Sequence, residues 1–120
     1  MNLIKNRLDY NLLQNIYYQD RVGNKEGFIK IYANNTEEHE KVKFEIGLKL
    51  KKEGWKIYSE CRFKNNKGRA DLIAIRNGMG YIIEVMTSEK ELGHKRFKYP
   101  HEFTLIEVRT KNFKIEKFKI

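Results

Sequence analysis

The segment 69–86 constrains the fold more than any other, because it has the pattern of two β-strands joined by a two-residue turn. Asn77-Gly78 favours such a hairpin, since both central positions of the turn take positive φ. With these two residues as the loop, Asp71 on the first strand falls directly opposite Glu84 on the second. Side chains alternate along a strand, so both carboxylates are predicted on one face of a sheet. Because like charges repel there, and because two acids with backbone and water oxygens suit Mg²⁺, the hairpin predicts a divalent-metal site.

The remaining sequence predicts an α-β-β-β-α-β order from the second helix onward. Apolar residues at three- and four-residue spacing predict an N-terminal helix over roughly 2–18. Thr36 is a favourable N-cap for a second helix, and Gly54 ends it. The other predicted elements are a short strand over 28–32, a strand over 55–63, a third helix over about 88–98, a strand over 103–108 and an edge strand over 111–120 whose lysines would guard the edge.

The chain of 120 residues carries 25 Lys and Arg against 16 Asp and Glu, which gives a net charge of +9. This excess favours polyanions such as nucleic acid or an anionic membrane surface; the alternative is a lysine-rich proteome or a thermophile with many surface ion pairs. Cys61 is the one cysteine, which excludes a disulfide framework and a thiolate metal site. No apolar run approaches the roughly 20 residues of a membrane span, and the N-terminus does not resemble a secretion signal. We therefore expect a cytoplasmic protein without a membrane partner.

The second predicted helix carries one carboxylate in an unusual position. At about 100° per residue its apolar residues fill a wide arc, and Glu40 lies in the middle of that arc. A core does not accommodate an unpaired carboxylate. Glu40 therefore either lies at the rim near the helix start or faces the site formed by Asp71 and Glu84. The alternative is a first-turn acid that interacts with the helix dipole and has no further role.

One helix acid, Glu40, followed by two strand acids, Asp71 and Glu84, in an α-β-β-β-α-β order resembles the PD-(D/E)xK nuclease superfamily. This superfamily includes restriction endonucleases, Holliday-junction resolvases and many archaeal and viral nucleases. The resemblance covers about residues 36–110, and its motif segments are GRAD ending at Asp71 and IEVM around Glu84. It implies one α/β nuclease-like domain over 1–120, made of a restriction-endonuclease-like core with a mixed central sheet flanked by helices (36–110), an N-terminal helical extension (1–35) and a C-terminal edge strand (111–120).

The same resemblance implies a metal-dependent DNA endonuclease that hydrolyses phosphodiester bonds with Mg²⁺ or Mn²⁺. Branched DNA and viral or plasmid DNA are the substrates that it suggests. Asp71 and Glu84 would hold the metal, with the carbonyl oxygen of Val85 as a third ligand and Glu40 acting through water. Small members of this fold commonly pair to cut two strands, so we expect a homodimer with the N-terminal helix as candidate interface.

One position departs from the family motif. The motif lysine, two residues after the second acid, is replaced by Met86, which cannot carry charge. Three cations are candidates to take its catalytic role: Arg69, which the predicted register places opposite Met86; Lys43, one helical turn from the helix acid; and Lys90, near the start of the third predicted helix. The alternative is a non-catalytic nucleic-acid-binding protein that kept the fold and lost the chemistry at Met86.

Basic residues near the third predicted helix are candidates for DNA contact. Lys95, Arg96 and Lys98, with Lys67 in the turn before the hairpin, would bind the phosphate backbone without reading sequence. The alternative for the basic run is a solvated helix face. A third reading of the whole chain is a small interaction protein whose charge is incidental.

Overall fold

The computed structural model describes residues 3–13, 16–17, 26–27, 29, 31, 33–63, 69–87 and 99–120. Its helices are α1 (Leu3–Leu13) and α2 (Glu37–Lys52), and its strands are β1 (Ile16–Tyr17), β2 (Lys56–Phe63), β3 (Arg69–Arg76), β4 (Met79–Met86) and β5 (Phe103–Arg109). The predicted third helix over 88–98 lies outside the described residues, as does most of the predicted strand over 28–32. Within the described part of the chain, no helix is both long and apolar enough to cross a membrane.

The strands form one mixed sheet in chain order, β1-β2-β3-β4-β5. The pairings from β1 to β4 are antiparallel, whereas β4 and β5 run parallel, with Glu84 in register with Glu107. Helix α2 precedes the three long antiparallel strands, as the sequence predicts. The chain is therefore a mixed α/β protein.

The hairpin of β3 and β4 has the register that its turn predicts. Asn77 and Gly78 take φ angles of 53° and 80°, the positive values that a two-residue hairpin turn needs. The ladder runs from this turn back to the pair formed by Leu72 and Ile83. The turn and the register of the hairpin are confirmed up to this pair.

Local signals also place α2 where the sequence predicts it. The Thr36 hydroxyl accepts a hydrogen bond from the backbone N–H of His39 at 3.1 Å, which satisfies one of the free donors at the helix start. After the last turn, Gly54 takes a φ angle of 93°, which a residue without a Cβ adopts at little cost. These two caps define the residues at which α2 begins and ends.

Apolar side chains cover both faces of the sheet. One cluster joins α2 to the sheet and contains Val42, Ile46, Leu50, Trp55, Ile57, Leu72, Ala74, Ile83, Val85, Val108 and Phe118. The other contains Leu12, Tyr58, Cys61, Phe63, Ala70, Ile73, Ile75, Ile82, Tyr99 and Phe103. Ile46 and Leu50 have no exposed surface, and the burial of each contributes roughly 1.5–3 kcal/mol. Burial raises the pKa of the Cys61 thiol to about 12, so this cysteine stays protonated and acts as a small core residue.

The N-terminal helix is shorter than predicted, since α1 ends at Leu13. Ile16 and Tyr17 form β1 instead and pair with Phe63 and Arg62 of β2. Backbone pairing with the sheet overrides the helical spacing of the apolar residues, because helix propensity is a weak preference compared with tertiary contacts.

The predicted edge strand over 111–120 is wrong. Ile115–Lys117 form a short 3-10 helix, and Phe118 is buried in the cluster beneath α2. Lys49 of α2 donates hydrogen bonds to the carbonyl oxygen of Ile115, at 3.2 Å, and to that of Phe118. These contacts hold the segment against the helix, so its apolar alternation reflects packing on α2 and not an added strand.

Candidate active site

The sheet is irregular at the level of two strand acids, Glu60 and Asp71. The described ladder between β2 and β3 includes the residues on either side of them but not this pair. Glu60 has a φ angle of 53°, a left-handed conformation that costs a residue with a side chain about 1–3 kcal/mol. Tyr58 and Cys61 lie three residues apart and yet in the same core cluster, whereas a regular strand would place them on opposite faces. The backbone therefore departs from regular β geometry where the acids lie.

A buried ammonium from α2 joins two acids. Lys43 Nζ lies 2.5 Å from Glu40 Oε2 and 2.9 Å from Glu60 Oε1, and the Lys43 side chain has no exposed surface. A charge in such a place is stable only when it is paired and hydrogen-bonded. Glu40, 7% exposed, thus faces the interior beside the strands, as one of the two sequence interpretations requires.

Glu40 is held by three polar neighbours. Asn35 Nδ2 donates to Glu40 Oε1 at 2.6 Å, and His39 Nδ1 lies 3.3 Å from the same oxygen. Burial disfavours the charged carboxylate, but the hydrogen bonds from Lys43 and Asn35 stabilise it, and the pKa of Glu40 is lowered. Glu40 is therefore a carboxylate at neutral pH.

Glu60 lies between two cations. Lys43 binds one of its oxygens, and Arg69 Nε lies 3.0 Å from the other, Oε2. Its side chain is 3% exposed, against 9% for Glu40. Because the desolvation is larger here, burial raises the pKa of Glu60 despite the two cations. The same ammonium thus contacts two carboxylates whose pKa values shift in opposite directions.

The Asp71 side chain of β3 bonds to the backbone of β4. Its Oδ2 accepts a hydrogen bond from the backbone N–H of Val85 at 2.8 Å and lies 3.3 Å from His39 Nε2. Burial disfavours its charged form, yet the hydrogen bonds from His39 and Val85, and one shared with Glu84, lower the pKa of Asp71. The hydrogen bond with Asp71 in turn raises the pKa of His39. The imidazole and the carboxylate stabilise each other's charged forms.

Glu84 completes the group and has no exposed surface. The Tyr99 hydroxyl donates to Glu84 Oε1 and lies 3.4 Å from the carbonyl oxygen of Arg69. Burial raises the pKa of Tyr99, and the adjacent charge of Glu84 raises it further. Glu84 also contributes to the lowered pKa of Asp71, so the two acids that the sequence predicts opposite each other lie close together.

Four acids from four elements therefore meet; we call Glu40, Glu60, Asp71 and Glu84 the acidic cluster. The cations Lys43, Arg69 and His39 lie between them. Four carboxyl groups face three cations, so the carboxyl groups outnumber the cations in this part of a chain whose net charge is +9. Among the described residues, no group of three or more His, Cys, Asp or Glu side chains is arranged to hold a metal ion. Carboxylate oxygens are nevertheless the kind of hard donor that Mg²⁺ prefers.

The position of the motif lysine is apolar and buried. Met86 is 1% exposed and stands in register with Arg109 of β5. The predicted position of Arg69 opposite Met86 is corrected: the described β3–β4 ladder ends at Leu72, and Arg69 pairs with Arg62 of β2 instead. The described ladder does not continue beyond Leu72, so the register of the turn does not set the neighbours of Arg69.

Of the three cations that could replace the motif lysine, Lys43 and Arg69 both contact the acidic cluster. Lys90 lies outside the described residues, and so do the predicted DNA-contact residues Lys95, Arg96, Lys98 and Lys67. Val85 meets Asp71 through its backbone N–H, while its carbonyl as a metal ligand stays a prediction.

Sequence reasoning missed Glu60 and Tyr99. Glu60 is the one acid in β2, and strict alternation predicts it on the same face as Lys56 and Tyr58; its left-handed φ leaves no mark in the sequence. Tyr99 precedes Pro100, which suggested a helix end and gave no reason to expect a contact with Glu84. Such long-range contacts have no local periodicity that could identify them.

Comparison of the chain with protein-family models, with curated proteins and with solved structures gave no match.

Replacing the buried ammonium tests how far it holds the site together. Lys43→Met leaves Glu40 and Glu60 buried without their shared cation, so we expect a loss of about 3–5 kcal/mol in the free energy of unfolding at neutral pH. Chemical denaturation followed by circular dichroism measures this loss. Lys41→Met, at an exposed position of the same helix, is the matched control and should change stability little. Equal effects of the two variants would contradict the role assigned to Lys43.

The His39–Asp71 pair predicts a pH dependence of stability in buffer with a chelator. The pKa of His39 is raised in the folded state, so its protonation stabilises the protein fully at pH values below its unfolded-state pKa. This stabilisation is lost as the pH rises through the folded-state pKa. His39→Gln should therefore destabilise more at about pH 6 than at about pH 9. Unfolding free energies at both pH values measure the difference. In an Asp71→Asn background this difference should shrink; its persistence there would assign the effect to another group.

Proposed function

We propose that the chain is a metal-dependent DNA endonuclease of the PD-(D/E)xK type, which hydrolyses phosphodiester bonds. The observation that carries this proposal is that His39 joins helix acid Glu40 to strand acid Asp71, and that Asp71 in turn lies beside strand acid Glu84. The order α2-β2-β3-β4-β5, with β4 and β5 parallel, supports a restriction-endonuclease-like core.

The donor set supports a divalent cation. Asp71 and Glu84 would hold Mg²⁺ or Mn²⁺, with the carbonyl of Val85 as a further ligand and Glu40 acting through water. Such an ion, when bound, supplies Lewis acidity toward a phosphoryl oxygen. The carboxyl oxygens of the acidic cluster would attract it, while the +9 charge of the whole chain would attract the nucleic acid.

Lys43 is the cation that best replaces the missing motif lysine. Its Nζ is already within 3 Å of two members of the acidic cluster, Glu40 and Glu60, at 2.5 Å and 2.9 Å. From the helix side it would orient the attacking water or a phosphate oxygen, a role that needs a positioned N–H donor. Glu60 would act through Lys43, because the Glu60 carboxylate holds the Lys43 ammonium in place.

His39 and Arg69 would stabilise charge at the rim of the site. The raised pKa of His39 favours its protonated form, which suits contact with a phosphate and not proton abstraction. The Arg69 side chain is 37% exposed, so a phosphodiester could reach its guanidinium group from solvent. Further phosphate contacts are assigned to Lys95, Arg96, Lys98 and Lys67 on charge alone.

The alternative is a catalytically degenerate nucleic-acid-binding protein of the same fold. The observation that favours it is the combination of Met86 at the motif position with a cation, Lys43, that already pairs two of the acids. In that case the internal ion pairs take the structural place of a metal, and the basic chain still binds nucleic acid.

Cleavage assays with supercoiled, linear, single-stranded and branched DNA in Mg²⁺ or Mn²⁺ separate the two functions. We expect cleavage by the wild type, and a loss of at least about 100-fold in rate for Asp71→Asn and for Glu84→Gln, because each removes a charged oxygen donor. Isothermal titration with Mn²⁺ should show metal binding that both variants weaken.

Glu38→Gln is the matched control, since this acid is exposed on the first turn of α2, does not line the cavity beside that helix and should cleave like the wild type. Activity that survives both Asp71→Asn and Glu84→Gln would reject the assigned site. Salt-sensitive binding without cleavage in either metal would favour the degenerate alternative.

A homodimer belongs to the same proposal, and exposed apolar side chains on α1 support it. Leu8 and Tyr10 of α1 and Met79 beside the hairpin turn are all exposed. We expect sedimentation equilibrium to show a dimer that Tyr10→Lys weakens about 10-fold or more, since a truncated or charged aromatic anchor is costly in an interface. Leu48→Lys, an equally apolar exposed position on α2, is the control. A wild-type monomer at all concentrations would reject the dimer.

A further inference from the structure

An open cavity of about 550 Å³ lies between the first two turns of α2 and the segment that precedes the helix. Small-molecule sites have volumes of roughly 300–1,000 Å³. Ile31, Ala33 and Phe44 form its apolar walls, and Asn35, Glu37 and Glu40 bring polar groups to it. The cavity is therefore large enough for an aromatic ligand that carries hydrogen-bonding groups at its edge.

The cavity adjoins the acidic cluster through a shared residue. Glu40 lines it and also pairs with Lys43 inside the cluster. Asn35, which lines it too, donates its amide N–H to Glu40 Oε1 at 2.6 Å. A ligand in the cavity would thus lie one side chain away from the groups assigned to hydrolysis.

The lining has the features of a stacking site. Phe44 is 46% exposed, although it lies on the same helix as the fully buried Ile46 and Leu50. Glu40 and Lys41 lie three and four residues after Glu37, and Phe44 lies four and three residues after them, so the four side chains share one face of α2. An exposed ring on one wall, with carboxylate and amide oxygens nearby as acceptors, complements a flat heterocycle whose edge carries N–H donors.

We propose that this cavity binds one unpaired nucleobase of the nucleic-acid substrate, next to the phosphodiester that the acidic cluster hydrolyses. Phe44 stacks on the base, and the oxygens of Asn35 and Glu37 accept its N–H groups. Lys41, exposed at the edge, meets the adjoining phosphate. This inference rests on the proposed function for its ligand, and it narrows the substrate class to single strands, flaps and junctions with unpaired bases, since a base stacked in a duplex cannot enter.

Binding measurements in chelator, where no cleavage occurs, test the cavity apart from the chemistry. Three ligands of equal length are compared by fluorescence anisotropy: a single-stranded oligonucleotide, the same backbone with abasic residues, and a blunt duplex. We expect the wild type to prefer the base-containing single strand over its abasic counterpart. Phe44→Ala should weaken binding of that strand about 10-fold and leave the abasic strand and the duplex unchanged.

Two further variants keep the test specific. Leu48→Ala removes an exposed apolar side chain of the same helix that does not line the cavity, and it should bind all three ligands like the wild type. Phe44→Trp should retain binding, and its fluorescence should be quenched by the base-containing strand but not by the abasic one. The native Trp55 is 2% exposed and stacks near Arg76, so the added tryptophan is the accessible one.

Equal affinity for base-containing and abasic strands, or equal effects of Phe44→Ala and Leu48→Ala, would overturn the base pocket and point to an apolar protein partner as its occupant. The outcome is separable from the nuclease proposal. Phe44-dependent binding without any cleavage would keep the pocket and reject the enzyme. Cleavage that depends on Asp71 while binding ignores Phe44 would keep the enzyme and reject the pocket.

Discussion

The buried ammonium of Lys43 is the interaction on which the site depends. It contacts Glu40, one turn away on α2, and Glu60 on β2, so a single charge joins the helix to the sheet. Removing ions from water costs several kcal/mol each, and only close, hydrogen-bonded partners offset that cost. The helix therefore cannot shift along the sheet without breaking the contact between Lys43 and Glu60. Apolar packing beneath α2 supplies stability, whereas the ion pairs fix where the helix acid stands relative to the strand acids.

The left-handed backbone of Glu60 shows what the ion pairs hold in place. A non-glycine residue at a φ angle of 53° is strained, and such a conformation persists where its surroundings determine it, here through Lys43 and Arg69 on the two carboxylate oxygens. The break in strand pairing at this level has a second effect. The backbone N–H of Val85, which a continuous ladder would bond to a carbonyl of β3, is bonded to the Asp71 carboxylate instead. The strained residue Glu60 of β2 therefore lies at the same level of the sheet as Asp71 of β3, whose carboxylate bonds to the backbone of β4.

Much of this arrangement could be predicted from sequence where the determinants are local. The Asn77-Gly78 turn sets the register of β3 against β4, and the Thr36 cap sets the start of α2, because each depends on residues a few positions apart. Contacts between distant segments could not be predicted in this way. The edge of β2 recruits residues after α1 into β1, and Lys49 draws the C-terminal segment onto α2, although apolar spacing alone favours a longer helix and a sixth strand. The partners of Glu60 belong to the same class.

The charge of the acidic cluster explains why a methionine at 86 and a lysine at 43 belong together. Met86 is 1% exposed, so a lysine there would be a buried cation, as Lys43 is. The cluster contains four carboxyl groups against three cations, Lys43, Arg69 and His39. A second buried lysine would make the cations as many as the carboxyl groups, and would weaken the attraction for the divalent ion that we propose the cluster binds. Under that proposal one buried lysine is enough; in this chain the helix provides the cation, and the strand position is part of the core.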